Sequence, residues 1–433
     1  MPARLKIGAA ERVITPPVGT SLAGYFHDRK STAVRDDLLA KAVVADDGEN
    51  VVALIACDLI GISDELSSAA RRLIRRRVGI PEGNIMISAT HTHTGPEVRA
   101  GRMVPRNDEW FAEAPGLLAA AACEAFERRR PARLWLGRGH EEGLAFNRRF
   151  RMEDCSEQFG TSEDPRSVLG PAGPTDPELG VIKITRGRRD PFAVIVNYTL
   201  HIDVMGGVEI SADYPGHITE VVRAVYGPDT ICLFINGATG DINHVDYSGK
   251  SPWPRKGPAK STQIGRALGG HAVNIAEKAY PGKSRQVGAA REMLKIPYHP
   301  VTPELQQWER ELRRKPKKKL TTNEERFLRG IAAWDKDGQV ADVEVQAVRL
   351  GDAVFVGLPG EPFCVWGFEL KKWSPFPYTF IAEQSNQSHG YIATWEAVGR
   401  GGYEAIPFVG THLARGAGQT MVDAAFKLVR SLA

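Results

Sequence analysis

The 433-residue chain lacks any paired cysteine spacing. Five cysteines are scattered at positions 57, 123, 155, 232 and 364, with no CxxC among them. That excludes a disulfide framework and a cysteine-rich zinc module, and it points to a reducing compartment, so the expected location is cytoplasmic. No uninterrupted apolar stretch approaches the roughly 18–20 residues that a membrane span needs. The opening Met-Pro-Ala-Arg-Leu-Lys has no apolar run of the kind a secretory leader carries. Charge of one sign is also missing. Lys and Arg number 56 against 52 Asp and Glu, a net +4 that provides no electrostatic footprint for nucleic acid. The basic clusters at 71–77, 128–130 and 315–319 lie far apart and read as solvated helix faces or loops. There is no GxxxxGK[ST] phosphate loop, no GxSxG elbow and no glycine fingerprint following a strand, which argues against kinase, serine-hydrolase and dehydrogenase chemistry.

What is present is an ordinary globular composition, 42% hydrophobic and 25% charged, in a chain long enough for one large α/β domain with insertions. Short apolar runs alternate with helical patterns. Residues 51–57 read as a buried strand ending at Asp58. Ser63 caps the next helix, with Glu65 in its first turn and arginines toward its end, as the helix dipole favours. Residues 84–90 form a second apolar run. An alanine-rich helix then extends to about Arg130, with Pro115 expected in its first turn or at a break. Residues 132–139 read as a strand. The stretch 147–177, rich in Gly, Pro, Ser and acids, reads as a surface excursion or a flap over a site. A second block echoes the first: a strand at 193–200 ending at His201, a helix at 216–226, and a strand at 230–235 leading to Asp241. Residues 300–340 are charged and helical in two pieces, 303–314 and 323–335. Pro316 separates them, so they predict an inserted helical arm, solvent-exposed or available for a homo-oligomer contact. Strands follow at 343–350 and 354–358, and an amphipathic helix at 420–432 closes the chain. The fold class expected is α/β, with mixed β-sheets flanked by helices in a single large domain.

The chemistry collects at strand ends. The run 84–90 releases His91-Thr92-His93-Thr94-Gly95-Pro96. In a strand-like segment positions i and i+2 share a face, so His91 and His93 are expected side by side. Imidazole is a common metal ligand, and ligands in α/β proteins gather at the carboxyl ends of strands. His201, Asp241 and Glu361 each follow an apolar run of their own. Two His and one Glu make a catalytic zinc set with an open position for water. Each residue alone has a plainer reading as a satisfied polar group, a turn residue or a first-turn helix charge; the joint pattern carries the argument. Tyr391 and Tyr403, in the polar segment 384–403, are hydrogen-bond donors or ligands in one reading and core tyrosines in the other.

These segments together resemble the neutral (alkaline, non-lysosomal) ceramidase family in its catalytic domain. The resemblance is carried by Ile7–Thr15 with Gly24-Tyr25, by the HTHTGP run, by Asn147-Arg148, by His201 after its strand, by Asn236–Asn243, by Pro359-Gly360-Glu361, and by the two tyrosine segments at 391 and 403. They occur in family order along nearly the whole chain. The resemblance implies one zinc ion per chain, held by His91, His201, Glu361 and Tyr391, with His93, Arg148 and Tyr403 handling a substrate carbonyl and its oxyanion. It implies hydrolysis of a linear amide in a small-molecule substrate, with the leaving nitrogen protonated by His93 or by a proton relayed through Asp241. The chain departs from the family in three ways. Asn243 stands where the family has a serine, which favours metal-activated water. Arg149 replaces the serine of an Asn-Arg-Ser element. No C-terminal immunoglobulin-like domain or leader is expected. Two rival readings remain: a metal-dependent esterase or lactonase on a small polar or sugar-like substrate, and a non-catalytic binding protein with a degenerate site.

Overall fold

A computed structural model describes residues 5–101, 103–161, 167–187 and 190–433. Three sheets dominate it, and they share one plan. The first runs Ile85–Ala89, Val51–Cys57, Leu39–Asp46, Lys6–Val13, Arg130–Pro131. The second runs Ile231–Asn236, Pro191–Tyr198, Glu178–Thr185, Arg133–His140, Tyr280–Pro281. The third runs Tyr378–Ala382, Ala353–Gly357, Val340–Leu350, Val287–Pro297. In each, three successive strands pair antiparallel and the last is joined by a parallel neighbour.

A parallel neighbour requires a crossover, and each sheet has its own helix for it. In the first unit α1, Asp64–Val78, is the crossover and α2, Asp108–Glu127, follows. In the second, α3, Tyr214–Tyr226, crosses over and α4, Pro258–Lys278, follows. The third unit carries α5, Pro303–Arg314, and α6, Thr322–Ala332, in the connection between its first two strands. Its crossover is α7, Cys364–Trp373; the short α8, Trp395–Arg400, and the closing α9, Ala417–Ser431, come after. The echo between the first two blocks therefore extends to a third.

The three sheets turn their inner faces to one another, and helices cover the outer faces. Val51–Cys57 shows why its sequence is apolar at every position. Val52, Leu54 and Ala56 point into the central cluster with Ile195, Leu233 and Phe355 from the other sheets. Ala53, Ile55 and Cys57 point outward against Leu66, Ile74 and Leu118 of α1 and α2. With both faces buried, the usual alternation of polar and apolar residues has no solvent side to follow. A buried ion pair also ties the units together: Arg71 of α1 donates to both carboxylate oxygens of Glu344 in the third sheet at 2.8 Å.

Two local expectations change. The α2 helix runs through Pro115, which lies in its interior and is buried. The proline withholds one N–H from the helical ladder, and burial of Trp110, Ala114, Leu118 and Ala122 on the first sheet outweighs that loss. The stretch from 147 is not a flap at its start. Arg149–Met152 is the middle strand of a small sheet with Glu157–Phe159 and Val168–Pro171, and Asn147, Arg148 and Arg149 are all buried. The arm is found where expected. Its α6 is anchored by Phe327, fully buried against Leu312, Ile406 and Phe408. No helix among the described residues is long and apolar enough to cross a membrane.

Candidate metal centre

Because each unit ends its parallel strand pair in the same direction, the six strand ends gather at one end of the molecule. Ala89 leads to His91 and His93, Tyr198 to His201, Gly357 to Glu361, and Ala382 to Glu383. Five side chains are brought there from three units, His91, His93, His201 and Glu383 buried and Glu361 12% exposed.

The Nε2 atoms of His91 and His201 lie 3.2 Å apart, those of His93 and His201 3.1 Å, and those of His93 and His91 3.4 Å. These three are the one group of metal-capable side chains found among the described residues. Glu361 Oε2 stands 3.5 Å from His91 Nε2 and has no hydrogen-bond partner, although buried. Three imidazole nitrogens facing one another cannot satisfy each other, since a neutral ring donates through one nitrogen only. Ligand nitrogens about 2.0–2.1 Å from a tetrahedral zinc stand about 3.3–3.4 Å apart, so the spacing fits a shared cation.

The chain prepares the rings for this. His91 Nδ1–H donates to the Ile60 carbonyl at 2.6 Å, which turns Nε2 toward the other two rings. Burial would lower His91, but the Glu361 carboxylate outweighs it and raises His91, so a cation held at Nε2 would take the place of a proton. Burial holds His93 at about 3 and His201 well below its usual value, so both are neutral. Burial would raise Glu361, but His91 and Arg148 outweigh it and hold the carboxylate at about 2. The i, i+2 argument is not what brings His91 and His93 together. The strand has ended, and His91 takes a left-handed φ of 81°, a strained conformation for a non-glycine residue. Their rings meet edge to face, with centroids 5.0 Å apart.

Around this point the other expected residues take distinct places. Glu361–Pro362 pairs in parallel with Tyr391–Ile392, in a register that sets Glu361 beside Tyr391. The Tyr391 hydroxyl accepts from Arg148 at 3.0 Å, and its ring packs edge-on to Tyr403 at 5.6 Å. Burial raises both phenols, Tyr403 to about 12, so both remain protonated donors. Arg148 also donates to Glu404 and to the Gly240 carbonyl, each at 2.8 Å. Asp241 has both oxygens engaged: one accepts from Cys364 N–H at the start of α7 at 2.7 Å, the other from Asn147 at 2.8 Å. Asn243 spends its amide within its own loop, donating to Tyr247 at 3.1 Å and accepting from Val245 N–H at 3.0 Å.

Several participants were not singled out from the sequence. Asp203 lies 3.8 Å from His93 Nδ1 and accepts from Tyr25 and Lys256. Glu404, fully buried, bridges Arg148 and Arg149. Glu383 accepts from Asn236 at 2.8 Å and from the Thr239 hydroxyl at 2.7 Å, and burial lifts it to about 7. Asn236 in turn donates to the Thr90 carbonyl at 3.2 Å, which joins the ends of all three sheets beneath the histidines. Asp203 and Glu404 each had a local signal, standing two and one residues after named site residues. Glu383 follows an apolar run just as His201 does.

The site opens into two lobes. One, about 330 Å³, is lined by His91, Glu361, Tyr391 and the α6 residues Arg326 and Arg329. The other, about 660 Å³, shares His93, Tyr391, Tyr403 and Arg326 with the first and adds Arg148 and His201. A larger cavity of about 1110 Å³ lies elsewhere and contains none of the three histidines.

An α/β fold with a buried imidazole and carboxylate cluster at its strand ends defines a candidate metal centre. Solved structures of the same fold include ceramidases. The crystal structure of neutral ceramidase from Pseudomonas aeruginosa superposes with a TM-score of 0.77 at 17% identity, covering 99% of this chain and 75% of that one. A ceramidase complexed with C2 superposes at 0.76 with 16% identity, covering 99% and 76%. No family model matches the sequence, and no curated protein matches it. The likeness is one of fold.

Proposed function

We propose that the protein is a zinc-dependent hydrolase that cleaves a linear N-acyl amide at this centre. The carrying observation is the convergence of three buried Nε2 atoms at 3.1–3.4 Å beside an unpartnered Glu361 oxygen. His91, His93 and His201 would supply the nitrogen donors of one zinc per chain, and the Glu361–Tyr391 pair the oxygen side. When bound, zinc supplies a Lewis acid and lowers the pKa of water toward about 7.

The chain's own residues do the rest. Arg148, locked by Glu404, stays cationic and orients the Tyr391 phenol. Tyr403 remains protonated at neutral pH, so it can donate to the oxyanion that forms when water adds to the carbonyl carbon. The Ile60 carbonyl holds the outer nitrogen of His91, the arrangement that orients a metal-binding imidazole, while Asp203 places a carboxylate 3.8 Å from the outer nitrogen of His93. Asp241, its oxygens both taken, is proposed as a strut between Asn147 and the start of α7 and not as a proton relay. Asn243, engaged in its loop, leaves no side-chain nucleophile at the position of the family serine. The ceramidases of this fold support an amide as the scissile bond.

The test is metal content by mass spectrometry on the purified chain and on His201→Ala, followed by hydrolysis of matched N-octanoyl amides and octanoyl esters. About one zinc per chain, lost in the variant, together with metal-dependent amide turnover, is expected. Turnover of the esters alone would shift the reading to an esterase or lactonase. Bound zinc without turnover of either would replace it with a binding protein.

A further inference from the structure

The arm does more than pack on the surface. Phe327 points α6 inward against Leu312, Ile406 and Phe408, just beyond Tyr403. A capping box between Thr321 and Glu324 fixes the start of the helix. One turn later Arg326 enters the site and lines both lobes, and Arg329, three residues on and therefore on the same face, lines the smaller one.

Apart from the Glu361 carboxylate of the candidate metal centre, the other charged side chains in or beside the two lobes are paired. Arg99 pairs with Glu97, Arg148 with Glu404, and Lys256 with Asp203. Arg326 and Arg329 have no acidic partner among the described residues. Arg326 is nonetheless held in place. Its guanidinium lies 4.7 Å over the Phe26 ring and 5.0 Å over the Tyr403 ring, and one nitrogen donates to Asn323 at 3.2 Å. Ring contacts use the flat faces of a guanidinium and leave most of its N–H edge free for an oxyanion. Tyr403 packs in turn on Tyr391, so this positioned cation is one side chain away from the candidate metal centre.

We infer that the substrate of this site carries an anionic head group, a carboxylate or a phosphate, which Arg326 and Arg329 bind at the mouth of the cleft. The inference rests on the hydrolase reading and specifies its substrate class. Half-buried Arg326 and the more exposed Arg329 present positive charge to the cleft that no carboxylate pairs with, and an anionic substrate would offset it. An uncharged lipid amide gains nothing from them. Apolar Met103, Val104 and Val409 in the smaller lobe leave room for a short acyl chain.

Three probes sharing one acyl chain separate the cases: N-octanoylglycine, N-octanoyl-O-phosphoethanolamine and the neutral N-octanoylethanolamine. Binding to the metal-free full chain is measured by calorimetry, and kcat/KM is measured on the zinc-loaded enzyme. A charged probe is expected to bind about tenfold tighter than the neutral one or better, as a charge-assisted contact implies. That preference should collapse in Arg326→Gln and shrink in Arg329→Gln while circular dichroism is unchanged. Which charged probe is preferred identifies the head group. Equal binding of all three, or a preference that survives both substitutions, overturns the inference. Preferential binding without turnover of any probe would overturn the hydrolase reading and leave the anion site standing.

Discussion

Arg148 donates to the hydroxyl of Tyr391 at 3.0 Å across 243 positions of sequence. The contact depends on Glu404, which accepts from Arg148 and Arg149 at 2.8 Å each, while Arg149 also reaches Glu157 at 2.7 Å. Arg149 stands where the resembling family has a serine, and this buried network accounts for it.

Glu404→Gln should therefore act at a distance. It removes the charge that compensates two buried guanidiniums, and breaking such a pair costs about 3–5 kcal/mol. Thermal melts of the zinc-loaded protein should show the loss, and turnover should fall with it as Tyr391 comes loose. A loss below about 1 kcal/mol would mean that Arg148 is positioned by something else.

Gly24 lets a ring approach that no other residue would allow. A Cβ there would meet His93 Nδ1 at 2.4 Å, and the backbone already has a φ of 94°. Gly24→Ala should displace His93 and lower zinc affinity about tenfold or more, the usual cost of disturbing a ligand's support. Competition with a calibrated chelator reads this directly. Unchanged affinity would remove His93 from the donor set.

Burial raises Asp241 to about 6, so the folded state holds its proton more tightly than the unfolded state does. Its contribution to stability is complete below the ordinary aspartate value and is lost as pH rises through about 6. The loss amounts to about 3 kcal/mol. Urea midpoints of the metal-free protein between pH 4 and pH 7 should show this decline, and Asp241→Asn should flatten it even if the variant is weaker throughout. Parallel profiles would assign the slope to other groups.

The Arg71–Glu344 pair crosses from α1 to the third sheet, with side chains only 4% and 5% exposed. Arg71→Met alone should cost about 3–5 kcal/mol by stranding a buried carboxylate, and adding Glu344→Gln should recover part of that. A double-mutant cycle on denaturation midpoints measures the coupling. Additive effects would show that the pair does not join the units.

The positions of the strands and helices were legible because burial on both faces writes itself as continuous apolar runs such as Val51–Cys57, and because Ser63 and the two-part arm carry local capping and breaking signals. Pro115 misled because its helix is held by packing on a sheet, which local propensity does not register. The stretch from 147 misled because its composition is that of a loop, while Arg149 is buried against Glu157, eight residues on, and Glu404, 255 residues away.

The sequence by itself determined which residues end the buried strands: His91, His93, His201 and Glu361 each follow an apolar run, and that is local information. Only the tertiary structure decided that these ends meet. Three copies of one sheet plan turn their strand ends toward a common point, so residues 110 positions apart bring their ring nitrogens to 3.2 Å. It also decided that His93 faces the same point as the other two rings, through a left-handed turn and not through strand alternation, and that α6 sets Arg326 beside the site. The physical reason is the same in each case. A side chain's neighbours across a core are chosen by how the sheets pack, and that choice is made by many contacts acting together, none of which is written near the residue it places.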